Sequence, residues 1–145
     1  MPTVYKSILM IDDDYINNHL NSHIIKRYFQ PHTIDLLSFT DPQAGFAYIA
    51  DGNPGLAGAT ILFLDINMPE LTGWDILDKM KHLSAAKLQH ITTYILSSSI
   101  DPADIKRANA NPLVKGFISK PLASYMPALF GETIKAIQKS MVAAV

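Results

Sequence analysis

Three carboxylates stand in a row at Asp12-Asp13-Asp14, directly after the apolar run Ser7-Ile8-Leu9-Met10-Ile11, and a fourth, Asp65, ends the run Ile61-Leu62-Phe63-Leu64. Adjacent carboxylates repel one another, and their desolvation is costly unless a cation or water offsets it. Brought together, Asp12, Asp13 and Asp65 would form an oxygen-rich site suited to a hard divalent cation, Mg²⁺ with retained waters before any other. Such an ion would neutralise an incoming phosphoryl group, and a carboxylate can attack phosphorus to give an aspartyl-phosphate. Phosphoryl transfer otherwise needs positioning and charge stabilisation, which the Lys120 ammonium could supply, and a Ser97 hydroxyl could bond a phosphoryl oxygen. Each residue alone has a plainer reading. An Asp at a turn caps a helix, and a serine run or a lysine before proline serves solubility. The odds change only if the fold gathers them.

The elements that would do so are short. Ile61 to Leu64 has the β-branched and aromatic content of a strand buried on both faces, and Met68-Pro69 stops it. Asp65 therefore sits at the carboxyl end of a central strand, where ligands and chemistry collect in open α/β sheets. Residues 7–11 read as a second such strand. Residues 33–39 form one of mixed polarity nearer an edge, 91–96 a fourth running into Ser97-Ser98-Ser99, and 114–119 a fifth running into Lys120-Pro121. Helices fall between them. Residues 15–29 carry Ile16, Leu20, Ile24 and Phe29 at helical spacing, with His23 and Tyr28 near them, after an Asp14 cap. Asp41-Pro42 and Asp101-Pro102 are cap-plus-proline starts for helices over 43–50, with Phe46 and Ile49 inward, and over 102–108. Leu71-Thr72-Gly73-Trp74 opens a helix with Ile76, Leu77 and Met80 inward. Residues 51–58 are dense in turn formers, and 84–90 read as a linker. Pro127 and Gly131 predict that the last helix begins late or kinks, with its firm part at 132–142. Five strand–helix alternations give an α/β fold, a five-stranded parallel sheet with helices on both faces and right-handed crossovers. The acids, Asp65, the serines and Lys120 then share one rim.

Composition fits this reading. A chain of 145 residues, 48% hydrophobic and 17% charged, suits a single domain with a core at about residues 5–142. The net charge of −1 gives no reason to expect nucleic acid or an anionic membrane as partner. The absence of cysteine excludes disulfides, zinc–thiolate sites and thiol chemistry. Without a signal-like apolar segment or a membrane-length run, a cytoplasmic location is the expectation.

The motifs, in order, resemble the receiver domain of two-component response regulators over nearly the whole chain. An acidic pair follows the first strand in Ile11-Asp12-Asp13. The phosphoacceptor motif matches Leu64-Asp65-Ile66-Asn67-Met68-Pro69-Glu70-Leu71-Thr72-Gly73. A hydroxyl ends the fourth strand at Ser97, and Lys120-Pro121 ends the fifth. The resemblance implies a flavodoxin-like strand order 2-1-3-4-5 and a phosphorylation-dependent switch, stand-alone like chemotaxis regulators and with no output domain attached. It implies Asp65 as phosphoacceptor, with Mg²⁺ (Mn²⁺ as the alternative) held by Asp13, Asp65 and the Asn67 backbone carbonyl, and by Asp12 through water. Ser97 and Phe117 become the switch pair, Lys120 the phosphate partner, and Pro121 a cis-proline. A histidine kinase or histidine phosphotransfer protein would be the donor and another protein the effector. A homodimer through the fourth and fifth helices stays open.

Departures from the family pattern are specific. Ser98 stands where Ala is common, so it could substitute for Ser97, and Phe117 stands where Tyr is frequent and carries no hydroxyl. Asn67 and Ser99 occupy positions that bear on phosphate loss, and neither is an acid that would orient water. The protein is expected to catalyse only its own phosphorylation and dephosphorylation. Rival readings are a degenerate receiver that binds partners constitutively, an Asp-nucleophile phosphatase, and a flavin protein of the same fold. The phosphatase lacks its usual second acid, because Asn67 stands there, and no flavin phosphate loop is recognisable. The intact set Asp12, Asp13, Asp65, Ser97 and Lys120 argues against degeneracy. His19, His23, His32, His82 and His90 show no ligand spacing. Trp74 reads as packing or partner contact, and Gly52, Gly55 and Gly58 as turns.

Overall fold

The computed structural model describes residues 3–51 and 58–143. Five strands, β1 (Ser7–Ile11), β2 (Asp35–Phe39), β3 (Thr60–Leu64), β4 (Ile91–Ser97) and β5 (Val114–Ser119), form one parallel sheet in the order β2-β1-β3-β4-β5. The mixed-polarity strand is indeed at the edge, while β1 and β3 are buried along their whole length. Successive strand side chains go to opposite faces, so one sequence feeds two cores. Leu9, Ile11, Leu62, Leu64 and Ile95 belong to one; Ile8, Met10, Ile61, Phe63 and Leu96 belong to the other.

The first core is covered by α2 (Pro42–Ala50), α3 (Gly73–Met80), α4 (Ala85–Leu88) and α5 (Pro102–Ala110), through Ile49, Trp74, Ile76, Leu77, Met80, Leu88 and Ala108. The second is covered by α1 (Tyr15–Phe29) and α6 (Met126–Ala143), through Ile25, Phe29, Met126 and Phe130. The expected linker thus contains the short helix α4, and the expected fourth and fifth helices are α5 and α6. The turn-rich segment expected at 51–58, with Gly52 and Gly55, lies mostly outside the described residues.

Two expectations are corrected. The inward face of α1 is not the Ile16–Leu20 stripe, since those side chains are exposed with Tyr15. Phe29 is buried as expected and Ile24 packs partly buried against the core, but Asn18, Asn21 and Ile25 take the inward positions of the preceding turns. The last helix neither starts late nor kinks. A 3₁₀ turn over Leu122–Tyr125 leads into α6, which runs unbroken from Met126. Pro127 falls in its first turn, where a missing N–H costs nothing. The Lys120-Pro121 bond is cis, as the resemblance implies, and Gln30-Pro31 is cis as well.

Candidate functional site

The carboxyl ends of β1, β2 and β3 are level, and β4 and β5 end together, with β4 running two residues past the partner of Leu64. The residues after β1, β3 and β5 remain tied to a neighbouring strand. Ile11 is in register with Leu64 and Phe39. One step further, Asp65 N–H donates to the Ile11 carbonyl at 3.0 Å and Asp12 N–H to the Phe39 carbonyl at 3.1 Å. Across the sheet, Lys120 N–H donates to the Ser97 carbonyl at 3.0 Å. Hydrogen bonding thus carries past the regular strands and fixes the backbone of Asp12, Asp65 and Lys120 on one rim.

Their side chains converge. Carboxylate oxygens of Asp12, Asp13 and Asp65 all lie within 4.8 Å of one another. Lys120 Nζ donates to Asp12 Oδ2 at 2.8 Å and stands 3.9 Å from Asp65 Oδ1. Asp12 is 5% and Asp65 8% exposed, whereas Asp13 is open to solvent. Three carboxylates facing one ammonium leave an excess of negative charge in a partly dry pocket. The donor set is entirely hard oxygen, so chemistry and charge both fit a divalent cation such as Mg²⁺. The acidic corner is further shaped by Asp14, whose N–H donates to Asp12 Oδ1 at 2.9 Å and whose carboxylate caps α1 through Ile16 and Asn17.

Burial pushes the Asp65 carboxyl up to about 6, helped by the neighbouring Asp12 charge and opposed by Lys120. An acid whose pKa rises on folding costs stability wherever it is ionised. The cost is absent below 3.8, grows as pH rises to about 6 and is full above that. Asp65→Asn, measured by urea unfolding without metal, should therefore be about 2 kcal/mol more stable than the parent at pH 7.5, after discounting for solvent screening. The gain should vanish near pH 4. An equal gain at both pH values would contradict this origin.

After β3, Asn67 is exposed in the turn, and Met68 and Leu71 are buried beside Trp74. α3 begins with a reciprocal cap: Thr72 Oγ1 accepts from Asp75 N–H, and Asp75 accepts from Thr72 N–H. Its first residue, Gly73, lies against the Asp65–Ile66 backbone after β3 and donates its N–H to the Ile66 carbonyl at 3.0 Å. Trp74 is packed, with the Arg107 guanidinium 4.4 Å over its ring. An open groove of about 280 Å³, lined by Asp13, Thr40, Asp41, Pro42, Pro69 and Glu70, opens beside the acids.

Ser97 is fully buried, and its hydroxyl accepts the Ser99 N–H at 3.1 Å, whereas Ser98 is exposed. Ser99 Oγ donates to Asp104 Oδ2 at 2.7 Å and accepts from Asp101 N–H, tying the loop after β4 to α5. Phe117 is half-buried against the core that holds Ile95. Sequence reasoning passed over Asn18 and Asp104. The signal for Asn18 was present in the 18, 21, 25 spacing, but a polar residue there does not look like a sheet contact.

A family model described as response regulator receiver domain matches residues 8–126. A two-component response regulator from Cytophaga hutchinsonii is 31% identical, with a TM-score of 0.77 over 92% of this chain and 99% of that one. A receiver protein from Dyadobacter fermentans is 21% identical, with a TM-score of 0.72 over 86% and 97%. The CheX-CheY-BeF3-Mg+2 complex from Borrelia burgdorferi is matched at 19% identity, with a TM-score of 0.61 over 96% and 89%. No curated protein matches the chain.

Proposed function

This chain belongs to the response regulator receiver domain family, and from that premise we propose that Asp65 accepts a phosphoryl group from a phosphohistidine donor, a histidine kinase or a histidine phosphotransfer protein. The observation that carries the reading is the convergence of Asp12, Asp13 and Asp65 with Lys120 on the rim. An Asp65 carboxylate oxygen attacks phosphorus, the P–N bond breaks, and the electron pair leaves with the imidazole, which keeps a proton on its other nitrogen. Lys120 follows the developing charge on the phosphoryl oxygens.

Asp13 and Asp65, with the Asn67 backbone carbonyl, are assigned as direct Mg²⁺ ligands, and Asp12 as a ligand through water. Two features support that division: Asp13 is open to solution, and Asp12 is engaged by Lys120. Mn²⁺ would serve as well. When bound, the ion supplies charge neutralisation for the phosphoryl oxygens. The Borrelia complex contains Mg²⁺ together with BeF3, in line with such a site.

Phosphorylation would draw the Ser97 hydroxyl from the Ser99 N–H to a phosphoryl oxygen and let Phe117 repack, changing the α5–β5–α6 surface offered to an effector protein. The chain catalyses only its own phosphorylation and dephosphorylation, in the cytoplasm. Among the described residues no helix is long and apolar enough to cross a membrane.

The test is transfer of label from an autophosphorylated histidine kinase or phosphotransfer protein. Label should move to the parent protein in Mg²⁺ and stay on the donor after chelation by EDTA. Steady hydrolysis of p-nitrophenyl phosphate without accumulation of phosphoprotein would overturn the reading in favour of a phosphatase.

A further inference from the structure

We propose that Asn18 is the positioning residue of the acidic corner: its carboxamide fixes the peptide between Asp12 and Asp13 and so sets the affinity of the divalent-cation site. The inference rests on the reading that these acids hold Mg²⁺. Asn18 is only 3% exposed, on the sheet-facing side of α1. Its Nδ2 donates to the Asp12 carbonyl at 2.8 Å and to the Phe39 carbonyl at 3.3 Å. The Phe39 carbonyl also accepts the Asp12 N–H. Asp12 is thus tied to the end of β2 from both sides, directly through its N–H and by way of Asn18 through its carbonyl. That carbonyl belongs to the Asp12–Asp13 peptide, whose rotation decides where the exposed Asp13 carboxylate is carried relative to Asp65.

The same side chain is poorly arranged for stability alone. With both amide hydrogens aimed at carbonyls, Asn18 Oδ1 is buried without a hydrogen-bond partner among the described residues. The desolvation of that oxygen offsets the gain from the two donated bonds. Ile25 and Phe29, further along the same face, are buried without that cost. The amide's clear return is geometric. Groups that orient metal ligands in this way change metal affinity when they are lost.

The experiment is a calorimetric titration of the whole protein with MgCl₂, using the parent, Asn18→Leu, Asn18→Ala and Asn21→Leu. Asn21 is a second buried amide on α1, and it serves as the control for the loss of such a group from the helix interior. Urea midpoints without Mg²⁺ report the structural effect separately. Both Asn18 variants should bind Mg²⁺ at least about tenfold more weakly than the parent, while Asn21→Leu binds within twofold. Asn18→Ala carries the test if Asn18→Leu does not fold. Affinity within twofold of the parent in a folded Asn18 variant would overturn the inference and leave the phosphoacceptor reading standing, and so would an equal loss in Asn21→Leu. Failure of the parent to bind Mg²⁺ would overturn both.

Discussion

Lys120→Met should slow phosphorylation of Asp65 by about a hundredfold or more, the scale of losing one preorganised donor at a site of developing charge. Among the described residues Lys120 is the cation that stands among the acids: its ammonium lies 2.8 Å from Asp12 and 3.9 Å from Asp65, with its side chain only 15% exposed. Methionine keeps the alkyl stem and removes the charge, so the loss is electrostatic rather than a packing defect. Two further consequences separate this account from simple disruption. Lys120 lowers the Asp65 pKa, so without metal its removal raises that acid further above its ordinary value. The Asp12 carboxylate also loses its partner in a nearly dry site, which should cost about 2 kcal/mol in urea unfolding at pH 7.5. A variant that phosphorylates within threefold of the parent would contradict the role assigned to Lys120.

The second large effect comes from a residue with no side chain. A Cβ at Gly73 would lie 2.3 Å from the Asp65 carbonyl oxygen and 3.0 Å from Ile66 Cα. Both are backbone atoms at the end of a fully buried strand, so neither can give way cheaply. Gly73→Ala should cost about 3 kcal/mol, the upper part of the usual overpacking range. It should also impair phosphorylation, because the clash is relieved by moving the acceptor residue. Gly131→Ala is the internal comparison: it lies within α6, and beyond its own helix backbone nothing among the described residues stands within 4 Å of its Cβ position. That change should stabilise the protein by about 0.5–1 kcal/mol through lower chain entropy and better helix propensity. Urea unfolding of both variants checks the pair. A Gly73→Ala cost below 1 kcal/mol would show that the α3 start is looser than this packing implies.

The rim residues are legible in the sequence because each ends an apolar run. In a parallel sheet with short crossovers such ends must lie together. Asp12, Asp65 and Lys120 need no knowledge of side-chain packing to be placed. The orientation of α1 was not legible in the same way. Its sequence holds two candidate stripes, Ile16–Leu20–Ile24–Phe29 and Asn18–Asn21–Ile25 with the same Phe29 at its end, and hydrophobicity favours the first. The sheet takes the second, whose Ile25 and Phe29 fill the core while the Asn18 amide meets the Asp12 and Phe39 carbonyls. Periodicity weighs burial and ignores such polar obligations. The last helix misled for a local reason. Pro127 counts against a helix interior but not against a first turn, and the two cases look alike until the helix start is known. The Ser99–Asp104 link likewise depends on how the loop after β4 folds back on α5, and a five-residue separation leaves that open.

The central claim is that Asp65 is the phosphoacceptor of a divalent-cation-dependent site. Intact-mass spectrometry tests it most directly, after incubation with acetyl phosphate, with and without Mg²⁺, for the parent and for Asp65→Asn. The account predicts a gain of one phosphoryl group in the parent with Mg²⁺, none after chelation, and none in Asp65→Asn under either condition. A phosphoryl group on Asp65→Asn, or a parent that takes none from acetyl phosphate or from a phosphohistidine donor, would contradict it.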